Sequence, residues 1–432
     1  MRSRRNSMSI LRPVTAIPLI LRAQYASRDK LDGQMTAGIT AMLDYARRNV
    51  PAYRDERYLA TIKELADLTQ LPLLTKARVL ESGVANFHSP DFSAGDCHLG
   101  RTSGTTSQVL EVRHDLKHNY AHDRAANVRR FFATGRYRPW HRLVHFKEGY
   151  VSVTWHERFK MFRRDQILMA LPPQERVARL LSSPVQAIIG YPVMLRDLLR
   201  SLTDAQLTQL RTGLKVVFTE SELLTAEIRA QLTEGFGVPI FNEYSAEEAL
   251  HIAYECPGHQ LHIAEDRVYV EVVDEAGQLV PDGVEGRVVV TPYRERAMPL
   301  PRYLLDDRAI RHCDPCTCGR TFRRLDLTRG RADDYIVLPD GERMYVGPFL
   351  AMATRTPGVA ECMVRQDAAG KITVYLVADP RDERPFVELS AYAEKWLFST
   401  AGRKLPITFE PGEQLEITAR GKGRFLVSDY RP

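Results

Sequence analysis

The chain has 432 residues, 44% of them apolar and 26% charged, a composition that suits a globular protein of two or three domains and excludes a disordered or fibrous one. The net charge of +6 lies at one end, because residues 1–30 hold seven basic side chains (Arg2, Arg4, Arg5, Arg12, Arg22, Arg28, Lys30) against the single acid Asp29. The balanced remainder offers no basic field for nucleic acid. No apolar run reaches the ~18–20 residues that span a bilayer, since Arg12, Pro13, Pro18 and Arg22 interrupt 10–21. The Arg-rich start has two prolines and no clear small-residue cleavage site, so it reads as a basic arm over 1–35 and the protein as cytoplasmic.

Apolar residues at helical spacing (Ile39, Met42, Leu43, Ala46) predict a helix over 36–50, stopped by Pro51. From residue 214 the pattern alternates, with strands at 215–218 and 239–241 around a helix at 225–234. Runs at 268–273 and 286–290, joined by turn residues that include Gly277 and Gly283, predict an antiparallel hairpin. A second set follows, with strands at 335–338 and 372–377 and a helix at 387–398, which places a domain boundary near Arg331.

Two clusters carry chemistry. The run Gly100-Arg-Thr-Ser-Gly-Thr-Thr-Ser-Gln108 has glycines that bring backbone N–H groups close to an anion and hydroxyls that add donors, as a phosphate-wrapping loop needs. It lacks the Gly-Lys-Ser/Thr ending of a Walker loop. Cys316 and Cys318, with Cys256 and His262, offer three thiolates and one imidazole, a set suited to tetrahedral zinc. Cys313 or His259 could replace a ligand, and reduced, metal-free cysteines are the alternative. Cys97 and Cys362 read as small apolar residues.

These residues belong to an ordered series that resembles the adenylate-forming superfamily, in particular its phenylacetate–CoA ligase-like and capsular-biosynthesis-like branch. Thr102-Ser-Gly-Thr-Thr106 is similar to the family's phosphate loop, and Asn242-Glu-Tyr-Ser-Ala-Glu-Glu248 to its adenine and magnesium segment. Met298-Pro-Leu-Pro-Arg-Tyr-Leu-Leu-Asp-Asp307 resembles the ribose motif, Gly330-Arg-Ala-Asp-Asp334 the hinge, and Thr418-Ala-Arg-Gly-Lys-Gly-Arg424 the catalytic-lysine motif. Glu255-Cys256, Leu261-His262 and Asp314-Pro-Cys-Thr-Cys-Gly-Arg320 match the branch's cysteine pattern.

The resemblance implies an α/β fold: a large N-terminal adenylation domain of mixed sheets and helices (1–330), a hinge (331–334) and a small mobile α+β lid (335–432). It implies an enzyme that activates a small, aromatic carboxylic acid with ATP and Mg²⁺ as acyl-AMP and passes the acyl group to coenzyme A by default. An amine or carrier-protein acceptor is the alternative, and homodimers are common among similar proteins. By the same resemblance Thr102, Ser103, Gly104, Thr105, Thr106, Tyr244, Ser245, Asp307 and Arg331 hold ATP, with Tyr244 beside adenine and Asp307 on the ribose hydroxyls. Glu248 holds Mg²⁺, Lys422 acts on the transferring α-phosphate, and Asp333 is the hinge pivot. Cys256, His262, Cys316 and Cys318 hold a structural Zn²⁺ with no open position.

The series departs from the family where Ser107, Ser221, Ser245 and Asp306 replace glycines, Val109 a proline, Glu247 a threonine, and Leu304-Leu305 an Arg-Thr pair. The charged positions all survive, which favours retained adenylation over a degenerate nucleotide-binding protein.

Overall fold

The computed structural model describes residues 11–432 except 56–57, 59, 102–109, 130–133, 139, 148–163, 169–170, 222–223, 225, 330–334, 347, 350–351, 354–355, 379–381, 402, 413–425 and 431–432. The fold is α/β, with large sheets, flanking helices and a smaller C-terminal α+β part. Two compact units emerge: residues 1–102, 110–137 and 241–329 form the first, and 103–109, 138–240 and 330–432 the second.

The first unit starts with α1 (Leu11–Ala23), whose Ile20 packs on Ala125 and Ala126. The next helix, α2 (Arg28–Asn49), begins eight residues before the expected start and buries Leu31, Met35, Ile39, Met42, Leu43 and Ala46 along one stripe. Val50 turns extended ahead of Pro51 and ends it, as a residue preceding proline is driven to do. Strands β1 (Cys97–Arg101) and β2 (Glu111–Asp115) pair antiparallel, and α3 (Asn119–Ala126) follows.

The chain then builds a four-stranded parallel sheet in the second unit, from β3 (Leu143–Lys147), β4 (Arg164–Leu168), β5 (Ala187–Gly190) and β6 (Val216–Thr219), in the order β4-β3-β5-β6. The runs Ala-Ile-Ile-Gly and Val-Val-Phe-Thr are buried throughout, which is how strands covered on both faces read. The predicted strand at 215–218 and helix at 225–234 correspond to β6 and to α4 (Ala226–Phe236).

Back in the first unit, β7 (Ile240–Ala246), β8 (Leu250–Glu255), β9 (Leu261–Ile263), β10 (Tyr269–Val273), β11 (Glu285–Thr291), β12 (Tyr303–His312) and β13 (Arg324–Arg329) form an antiparallel array ordered β10-β11-β12-β13-β9-β8-β7. The expected hairpin is β10–β11, in register from Tyr269↔Thr291 to Val273↔Arg287. Buried Arg302 seats the start of β12: its guanidinium pairs with Glu271 at 3.0 Å and donates to the Leu71 and Gly277 carbonyls at 2.7 Å each. A buried charge needs that many partners.

The C-terminal part contains the hairpin β14 (Tyr335–Val337) and β15 (Arg343–Tyr345). It also contains a mixed sheet of β16 (Val359–Gln366), β17 (Ile372–Ala378), β18 (Ile407–Pro411) and β19 (Leu426–Ser428), in the order β18-β17-β16-β19. Helix α5 (Phe386–Ala401) adds Ala393 and Leu397 to this part's core. Among the described residues no helix is long and apolar enough to cross a membrane.

Candidate active site

Glu247 and Glu248 would ordinarily read as the exposed face of a helix, but they lie in the tight turn between β7 and β8. The β7–β8 register runs Glu243↔Tyr254, Tyr244↔Ala253 and Ser245↔His251, with an irregularity between Tyr244 and Ser245. The turn is pinned from β2, where buried His114 donates through Nε2 to the Glu247 carbonyl at 2.6 Å. Its Nδ1 lies 3.0 Å from Glu295 Oε2. Burial alone would lower the His114 pKa, but the Glu295 carboxylate and the Glu247 carbonyl outweigh it and hold the imidazole above its ordinary value, so both nitrogens donate. Gly100, at the end of β1, admits the turn closely: a Cβ there would lie 2.6 Å from Glu247 Oε2.

Two hydrogen bonds join this turn to the start of β12. The Tyr244 phenol donates to Asp307 Oδ2 at 2.7 Å, and the Tyr303 phenol donates to Glu248 Oε1 at 2.9 Å. β7 and β12 are four steps apart in the sheet order, about 19 Å if the sheet were flat. The array therefore curls until its strand ends meet. Tyr244 is buried, while Ser245, Glu248 and Asp307 are half-buried.

The second constellation lies beyond the far ends of β8 and β12. Cys256, His262, Cys316 and Cys318 present ligand atoms all within 4.8 Å of one another. Cys256 Sγ is 3.9 Å from Cys316 Sγ, and Cys318 Sγ is 3.4 Å from His262 Nε2. A tetrahedral ion with bonds of about 2.3 Å to sulfur and 2.0–2.1 Å to nitrogen sets those separations near ~3.8 and ~3.5 Å, so the quartet fits zinc. His262 Nδ1 donates to the Phe322 carbonyl at 2.8 Å, which leaves Nε2 unprotonated toward the sulfurs. Burial pushes the His262 pKa down to about 4, keeping the neutral, ligating form. Burial pushes the Cys256 thiol up to about 11, whereas Cys318, despite burial, is held below its usual value by hydrogen bonds from Arg320. The two substitutes are engaged elsewhere: Cys313 is exposed beside Asp282, and His259 bonds Glu255 and stacks on Phe241. Cys97 and Cys362 are buried, as expected of small apolar residues.

Thr102, Ser103, Gly104, Thr105, Thr106, Arg331, Asp333 and Lys422 lie outside the described residues. In the second unit, Ser221 has φ +69°, the left-handed conformation that favours the glycine it replaces. Just before it, buried Glu220 accepts from His145 at 2.7 Å and pairs with Lys147 at 3.3 Å. Sequence reasoning gave no role to Tyr303, His114 or Glu295. Tyr303 stands inside the quoted ribose motif, and that was its available signal.

No family model matches the chain. Phenylacetate-coenzyme A ligase of Thermus thermophilus is 37% identical over 123 residues, covering 27% of this chain and 28% of that protein. Phenylacetate-coenzyme A ligase of Aromatoleum evansii is 27% identical over 331 residues, covering 72% of this chain and 73% of that protein. Among solved structures, 2-hydroxyisobutyryl-CoA ligase in complex with 2-HIB-AMP and CoA is similar with a TM-score of 0.65 and 19% identity, over 95% of this chain and 92% of that one.

Proposed function

Because the chain belongs to the adenylate-forming superfamily, in its phenylacetate–CoA ligase-like branch, and is an adenylate-forming ligase, we propose that it converts a small, aromatic carboxylic acid to its acyl-AMP and then transfers the acyl group to coenzyme A. The observation that carries this reading is the pair of bonds Tyr244–Asp307 and Glu248–Tyr303, which tie β7 and its following turn to β12.

In the first half-reaction a carboxylate oxygen of the acid attacks the α-phosphorus of ATP, the bond to the β-phosphate oxygen breaks, and pyrophosphate leaves. A carboxylate has about four acceptor positions, so Asp307 can take both ribose hydroxyls while still holding the Tyr244 phenol. Tyr244 and Ser245 flank the adenine. Glu248, steered by Tyr303, is placed to bind Mg²⁺, which when present neutralises phosphate charge. The loop 102–106 steadies the departing phosphates, Arg331 helps to bind ATP, and Lys422 supplies positive charge that matters most in the transition state. In the second half-reaction the coenzyme A sulfur attacks the acyl carbon, the acyl–phosphate bond breaks and AMP leaves, with Asp333 the pivot for the lid over 335–432. Zn²⁺ on Cys256, His262, Cys316 and Cys318 is structural, since a closed quartet has no position for substrate.

The acceptor is tested by offering coenzyme A, then a panel of amines, to preformed acyl-adenylate on the protein. Thioester formation with release of AMP is the expected result. Amide formation with no thioester would overturn the coenzyme A assignment and leave adenylation standing.

A further inference from the structure

Residues 313–323 join β12 to β13 without a helix or strand of their own, and they carry Cys316 and Cys318 of the cysteine quartet. The residues just after Cys318 are engaged on two sides at once. Toward the quartet, Arg320 hydrogen-bonds Cys318, and the Phe322 carbonyl accepts from His262 Nδ1 at 2.8 Å. Away from it, Arg320 Nε donates to Gln24 Oε1 at 2.8 Å across 296 residues of sequence, and both side chains are buried.

Gln24 belongs to the link between α1 and α2, and the rest of that link is held by the same segment. The Thr321 N–H donates to the Gln24 carbonyl at 2.8 Å, and the Thr321 hydroxyl to the Ala26 carbonyl at 2.6 Å. These carbonyls lie just past α1, where a helix end leaves acceptors without intrahelical partners. In return Arg28, the first residue of α2, donates to the Thr321 carbonyl at 2.9 Å. Arg323 pairs with Asp32 at 2.9 Å, and Arg323 and Arg28 both pair with buried Glu265 at 2.7 Å. Buried Arg129 closes the set, donating to the Ile20 carbonyl at 2.9 Å while its guanidinium lies 5.1 Å from the centre of the Phe322 ring.

A segment without helix or strand has little of its own to fix its backbone, and ordering it costs entropy. Ligation ties Cys316 and Cys318 to Cys256 and His262 and so fixes the course of the segment. Without that tie, the bonds from Arg320 and Thr321 to Gln24 and Ala26 must bear the ordering cost themselves. We propose that the zinc centre and the segment Ile20–Asp32 are coupled: zinc on the quartet holds the α1–α2 link in place, and the docked link, through Gln24 and Arg320, strengthens zinc binding. Such coupling is reciprocal by necessity. The inference rests on the zinc reading and adds which part of the chain the ion controls.

The test is amide hydrogen exchange on the full chain, read by mass spectrometry with zinc bound and after its removal by a chelator. Peptides spanning 20–32 should exchange roughly fivefold to 150-fold faster without zinc, while those of the β10–β11 hairpin keep their protection. Gln24→Ala, which takes the acceptor from Arg320, should weaken zinc binding by about tenfold to a hundredfold in competition with a colorimetric chelator. Gln24→Glu keeps an oxygen acceptor there and should restore near-native zinc affinity. Unchanged exchange over 20–32 after zinc removal, with native zinc affinity in Gln24→Ala, would overturn the coupling and leave structural zinc standing. Equal acceleration throughout the first unit would also overturn it, because the ion would then support the whole unit and not this link. A native chain that binds no zinc would contradict the zinc reading, and this inference with it. Should Gln24→Ala fail to fold, exchange in the native chain decides alone.

Discussion

The Tyr244 phenol donates to Asp307 Oδ2 at 2.7 Å across 63 residues of sequence, and this bond closes the curl of the first unit's sheet at the proposed nucleotide site. Removing the donor leaves the Asp307 carboxylate less firmly oriented, a loss of about 1–2 kcal/mol, between that of an ordinary hydrogen bond and that of a strong one to a charged group. Tyr244→Phe should therefore weaken ATP binding by roughly fivefold to thirtyfold. Calorimetric titration with a non-hydrolysable ATP analogue reads this directly. Unchanged affinity would separate the bond from nucleotide binding.

Zinc on the cysteine quartet predicts about one equivalent per chain by elemental analysis of the purified protein. Cys318→Ser should lose the metal and lower the melting temperature by several degrees, since a bound ion stabilises only the folded state. Well under one zinc in the native chain would remove the metal reading.

Two buried histidines give stability opposite pH dependences. Burial pushes His145 down to about 3, although Glu220 opposes it. A folded pKa below the unfolded value of 6.5 means that stability is full above pH 6.5 and is lost as pH falls toward 3. His114 is raised above 6.5, because Glu295 and Glu247 outweigh burial, so its contribution is full below pH 6.5 and fades as pH rises through the folded pKa. Each slope is at most about 1.4 kcal/mol per pH unit. In urea unfolding across pH 4–8, His145→Asn should flatten the acid limb and His114→Gln the fall above neutrality. Slopes identical to those of the native chain would contradict both assignments.

Ser221 holds φ +69° where the family pattern has glycine, a conformation that costs a residue with a Cβ about 1 kcal/mol. Ser221→Gly should be neutral or stabilising by up to about 1 kcal/mol, and Ser221→Val should destabilise by about 1–2 kcal/mol. Denaturant midpoints measure both. A destabilised glycine variant together with a tolerated valine would contradict the strain.

The β10–β11 hairpin was legible because its valine runs and turn residues act locally. The true start of α2 was not: Gly33 and Gly38 weaken the helical signal, and Gly38 is there because a Cβ would lie 2.5 Å from the Tyr293 ring, a neighbour more than 250 residues away. Glu247-Glu248 reads as readily as helix as it does as turn, and only the pairing of β7 with β8 decides between them. The Tyr244–Asp307 bond was approachable only through ordered motifs, since nothing in the spacing of 244 and 307 requires contact.

The measurement closest to the central claim is acid-dependent release of pyrophosphate from ATP and Mg²⁺ across a panel of carboxylic acids, with Lys422→Ala beside the native chain. Release with at least one acid, reduced by about a hundredfold or more in the variant while its melting temperature is unchanged, is the predicted result. Folded native protein that binds ATP yet releases no pyrophosphate with any acid would contradict adenylation, and an undiminished rate in Lys422→Ala would contradict the role given to that lysine.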